Sequence, residues 1–71
     1  MYFQRLKDLR EDNDLTQESV GAILGIRQEV YSRYERGFQT IPLVHLIKLA
    51  DFYDVSIDYL VGRTQNMKMN K

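Results

Sequence analysis

The chain has 71 residues, ten Lys+Arg, ten Asp+Glu, one His and no Cys. That length allows one small domain and no second lobe for a cleft enzyme, and the missing cysteines with a lone histidine exclude a disulfide framework and a thiolate or multi-histidine zinc site. A fold this small rests on a dense core, which the 44% hydrophobic fraction can supply through packed helices.

One proline and four glycines in 71 residues favour helices over strands. Five segments carry a helical period. In the first, Phe3, Leu6 and Leu9/Arg10 mark one face, and Asp12, Asn13 and Asp14 close it. The second starts behind Thr16 as N-cap, buries Val20, Ile23 and Leu24, and stops at Gly25. The third runs from about Gln28 to Arg36, with Tyr31 and Tyr34 on one side, and stops at Gly37. The fourth begins at Pro42, with Leu43, Leu46, Ile47, Ala50 and Tyr53 as its inward stripe. The fifth is short, capped by Ser56, with Ile57, Leu60 and Val61 as its apolar side. Residues 63–71 are polar and aperiodic and read as a frayed tail.

No stretch approaches the roughly 18 consecutive apolar residues of a membrane span, and Met1 to Arg5 do not read as a secretory signal, so the expected compartment is the cytoplasm. His45 has no inferable triad partner and is expected near the surface, while Asp51, Asp54 and Asp58 fall on different turns and caps. No phosphate-binding glycine loop is present. The expectation is a non-enzyme with no cofactor and no metal.

The informative stretch is Gln17 to Arg36, QESVGAILGIRQEVYSRYER. Two helices crossing closely through a tight turn require a small residue at the fifth position, here Gly21, and a glycine at the ninth, here Gly25. Val20, Leu24, Ile26, Tyr31 and Tyr34 fill the wedge between them. Arg27 stands where an N-cap acceptor belongs, bringing positive charge to the positive end of the helix dipole, a broken local rule of the kind that accompanies functional sites.

With the motifs Leu15-Thr16-Gln17-Glu18, Leu24-Gly25-Ile26, Ser32 to Gly37, Leu46 to Ala50 and Val55 to Leu60 in order, residues 3–62 resemble the Cro and phage-repressor helix-turn-helix family, also called the XRE family. The resemblance implies an all-α, compact five-helix, lambda-repressor-like domain over residues 1–62, with its helix-turn-helix at 17–36. It implies a double-stranded DNA operator as partner, with Gln17 holding a phosphate and bracing Gln28, the first residue of the recognition helix. Gln28 can pair with adenine, and Arg33 with guanine. Arg27, Glu29 and Ser32 complete the base-facing set, Glu29 also favouring the helix N-terminus electrostatically. Arg36, Phe38, Gln39 and Thr40 are expected to touch the DNA backbone through side chains and exposed amides. By the same resemblance Arg10 bridges Glu35, and a homodimer forms through Val55, Ile57, Tyr59, Leu60 and Val61. A repressor of bacterial or phage type is the leading reading. An antitoxin or protein-interaction module of the same fold is the alternative, disfavoured because Met67 and Met69 are the only apolar residues after Val61.

The neutral total is a sum over unequal parts. Residues 1–40 hold six basic and seven acidic groups, 41–62 one and three, and 63–71 three and none. Neutrality therefore does not argue against DNA, and it points to weak non-specific binding.

Overall fold

The structure is a computed structural model that describes residues 2–67. Its elements are five helices: α1 (Gln4–Asp12), α2 (Gln17–Leu24), α3 (Gln28–Glu35), α4 (Leu43–Tyr53) and α5 (Ile57–Leu60). Local chemistry sets most of their ends. The Thr16 hydroxyl accepts the Ser19 amide at 3.0 Å and starts α2, and the Ser56 hydroxyl accepts the Tyr59 amide at 3.0 Å and starts α5. Gly25, in the left-handed region at φ 72°, ends α2. The carbonyl oxygen of Ile26 would lie 3.0 Å from a Cβ on Gly21, so the α2–α3 turn approaches this position closely and leaves little room for a side chain there.

The core gathers Leu6 and Leu9 from α1, Val20 and Leu24 from α2, Tyr31 and Tyr34 from α3, Leu46, Leu49 and Ala50 from α4, Leu60 from α5, and the connecting residues Ile41 and Val55. Three expectations are corrected here. Pro42 caps α4 and the helix starts at Leu43. The buried stripe of α4 is Leu46, Leu49 and Ala50 with Tyr53 partly buried, whereas Leu43 and Ile47 face outward beside Val44. In α2, Ile23 is only half-buried.

The segment after α5 is also tied down rather than frayed as far as residue 67. Arg5 lies over the Tyr59 ring, 3.9 Å from its centre, and donates to the carbonyls of Tyr59 (2.8 Å) and Thr64. The Ser56 amide donates to the Met67 carbonyl at 3.0 Å. These bonds to backbone acceptors fix 63–67 against α1 and the start of α5. The rest of the expected tail, including Met69, lies outside the described residues. Among the described residues no helix is long and apolar enough to cross a membrane.

Candidate nucleic-acid interface

The site is built on α3. Tyr31 and Tyr34 bury one side of this helix, so residues 28, 29, 32 and 33 are carried to the other side by the helical period. Arg27, Gln28, Glu29, Arg33 and Arg36 are exposed and Ser32 is half-exposed. Gln28, Glu29, Ser32, Arg33 and Arg36 line one shallow groove, and Arg27, Gln28 and Glu29 border a second with Glu18, Ala22 and Ile26. Among the described residues, no hydrogen bond or ion pair inside the protein engages the side chains of Arg27, Gln28, Glu29, Ser32 or Arg33. Arg27 starts α3 with no side-chain cap bond, as its chemistry dictates. All five expected base-facing residues therefore share one outward, internally unengaged surface.

Beneath this surface sits a charged anchor. The Arg10 guanidinium donates to Glu35 through two nitrogens, at 2.9 and 3.0 Å, and to the Leu15 carbonyl at 2.8 Å. It is the one ion pair among the described residues, with the Glu35 side chain 3% exposed and that of Arg10 14%. The expected Arg10–Glu35 bridge is thus present, joining α1 to the C-terminal end of α3. Burial alone would raise the Glu35 carboxyl, but the bonds from Arg10 and Gln17 and the neighbouring Tyr31 hydroxyl outweigh it and hold the group below its ordinary value. The same hydrogen bond to Glu35 raises Arg10. The Tyr31 hydroxyl is buried beside the carboxylate without a bond of ordinary geometry, and burial raises its pKa strongly.

Gln17 differs from expectation. Its side-chain amide donates to Glu35 at 3.3 Å, so it braces the end of α3 rather than Gln28 at its start. Tyr53 and His45 add polar atoms that sequence reasoning missed. The Tyr53 hydroxyl and His45 Nδ1 are both buried without a partner, and burial pushes the Tyr53 hydroxyl up to about 12. His45 is half-buried: it stands near the surface as expected, but turns Nδ1 inward with its ring 6.0 Å from that of Tyr34. Among the described residues no cluster of His, Asp and Glu is arranged to hold a metal ion.

The loop after α3 is also corrected in part. The amides of Phe38 and Gln39 both donate to the Arg33 carbonyl, at 2.9 and 3.3 Å, and the Arg36 amide donates to Ser32. These amides are not open to a phosphate, and the Phe38 phenyl has no polar atom to offer one. Gln39 and Thr40 are exposed. Of the residues expected at a dimer contact, Val55 is 1% and Leu60 0% exposed. Both belong to the protomer's own core and have no surface to give a partner. Ile57, Tyr59 and Val61 remain half-exposed.

Comparison with known proteins follows the same outline. The helix-turn-helix family profile matches residues 6–60. The chain is 42% identical over 66 residues to the Bacillus subtilis protein YobD, described as an uncharacterized HTH-type transcriptional regulator, covering 93% of this chain and 59% of that one. It is 38% identical over 65 residues to the cryptic phage CTXphi transcriptional repressor RstR of Vibrio cholerae, covering 92% and 59%. It thus spans little more than half the length of these relatives. A crystal structure of a transcriptional regulator from Listeria innocua superposes with a TM-score of 0.81 at 25% identity, over 99% of this chain and 68% of that chain.

Proposed function

The chain belongs to the helix-turn-helix family, and on that premise we propose that it is a sequence-specific, double-stranded DNA-binding transcriptional regulator, acting in the cytoplasm as a homodimeric repressor. One observation carries the reading: the N-cap Arg27 and, on α3, Gln28, Glu29, Ser32 and Arg33 are presented outward with no hydrogen-bond or ion-pair partner for their side chains among the described residues. Polar side chains held on a rigid helix and left unsatisfied fit the base edges of a major groove, which admits a helix. Gln28 is suited to the paired donor and acceptor of adenine, and Arg33 to the two acceptors of guanine. Arg27 takes a phosphate or a guanine edge, while Glu29 favours the helix start. Arg36, Gln17, Gln39 and Thr40 serve the phosphates that set register.

The dimer follows from reach. A recognition helix of 8 residues reads only a few base pairs, and two copies on half-sites about 10 bp apart give a useful palindromic site. Ile57, Tyr59 and Val61 are the half-exposed apolar candidates for that contact.

The test is the salt dependence of duplex binding. A dimer making 6–10 phosphate contacts loses about 10³–10⁵-fold in affinity between 50 and 200 mM salt. An affinity that stays flat over that range contradicts the proposal.

A further inference from the structure

Phe38 is the most exposed large apolar residue among those described, with 74% of its surface open, although it sits on a rigid loop. Gly37 reverses the chain at φ 78°, and a Cβ there would meet Tyr2 Cβ at 2.9 Å. The two amides that follow are bonded to the Arg33 carbonyl. The loop therefore holds the phenyl ring out in water, where an apolar group is disfavoured. What the ring touches is the Arg36 guanidinium, 4.7 Å from its centre, well within the range of cation–π attraction.

Arg36 stands on the border between two hollows. One is the base-facing groove with Gln28, Glu29, Ser32 and Arg33. The other is lined by Tyr2, Lys7, Arg10, Gln17, Glu35, Arg36 and Phe38. In the second hollow Arg10 and Glu35 neutralise each other, so Lys7 and Arg36 supply its net positive charge. Phe38 lines this second hollow and not the base-facing groove. A long arginine free in solvent loses rotamer freedom when it clamps an anion, and a side chain already stacked in place loses less.

We propose that Phe38 is a positioning residue: its ring holds Arg36 in the second hollow, ready for a phosphate of the DNA backbone. This rests on the DNA-binding reading and adds to it a role for an aromatic side chain that cannot itself bond an anion. It also explains why the loop is fixed through its backbone while its aromatic side chain stays out.

The test uses the full chain in two measurements. In the free protein, the Arg36 Hε resonance is shifted upfield by the ring current of Phe38; F38L returns it towards the open-chain value, and F38Y keeps the shift. A resonance that F38L does not move overturns the proposal. On a duplex bound by the wild type, F38L weakens binding about two- to five-fold, the size of an exposed cation–π contact. R36A lowers the salt slope by about 0.9, one phosphate's share. In the R36A background F38L has no further effect, and the melting temperature of F38L stays near that of the wild type. If F38L weakens binding equally in both backgrounds, Phe38 acts without Arg36 and the proposal fails while DNA binding stands. If the wild type binds no duplex, the DNA-binding reading falls, and this proposal falls with it.

Discussion

Replacing Arg10 with Met removes the guanidinium but keeps the unbranched stem. Glu35 then remains 3% exposed and loses both of its short bonds from Arg10, keeping the 3.3 Å contact from Gln17. The Leu15 carbonyl also loses its 2.8 Å donor. Removing one partner of a buried pair costs about 3–5 kcal/mol, because a charge is left uncompensated. A domain of 71 residues has about 4–11 kcal/mol in all, at 0.05–0.15 per residue. The loss is thus a large share of the total, and at about 4–8 °C per kcal/mol it lowers the melting temperature by about 12–40 °C. Urea unfolding followed by circular dichroism at pH 7 measures it. The companion R10M/E35L removes the stranded carboxylate and recovers at least half of the loss, since an apolar pair often replaces a buried ion pair at little cost. A single-variant loss below about 1 kcal/mol, the scale of an exposed pair, refutes the reasoning. So does a double variant no more stable than the single one.

Other outcomes follow from the same contacts. The Glu35 carboxyl is held below its ordinary value, so the unfolded chain takes up a proton before the folded one does. The stability it contributes is present above about pH 4.3 and is lost as pH falls through the depressed folded value. Acid titration of stability checks this, and E35Q flattens the loss. For Tyr53 the sign is opposite: its hydroxyl is pushed up to about 12, so stability falls as pH rises past the unfolded value of about 10. Tyr53→Phe removes a buried, unpartnered hydroxyl, and is expected to gain up to about 1 kcal/mol at pH 7 and to lessen the alkaline loss. Gly21→Val drives a side chain into the Ile26 carbonyl and costs about 1–3 kcal/mol by thermal melting, weakening DNA binding as the turn shifts. Arg33→Ala relaxes preference at one operator position by about 1–3 kcal/mol, read from affinities for single-base variants.

The helix-turn-helix was legible because its requirements are local: a glycine where a Cβ meets a carbonyl, a left-handed glycine, and caps within three residues. That residues 28, 29, 32 and 33 share a face followed from the period of one helix, while the base-reading role of the set from Arg27 to Arg33 came from the family resemblance. What the sequence hid was decided at a distance. The fourth helix has Leu43, Val44, Leu46, Ile47, Leu49 and Ala50 around much of its circumference, so its period could not choose the buried side, and packing chose Leu46 and Leu49. Gln17 finds Glu35 eighteen residues away. Arg5 reaches carbonyls more than fifty residues on, acceptors that carry no side-chain signal. Val55 and Leu60 matched an interface pattern but are drawn inward to close the core where α5 meets α1 and α4.

The central claim is that the outward face of α3 reads a base sequence. Selection of bound duplexes from a random pool tests it most directly. The account predicts one enriched palindrome, with half-site centres about 10 bp apart, whose preference weakens at a single symmetric position in Arg33→Ala. Recovery of no preferred sequence contradicts it.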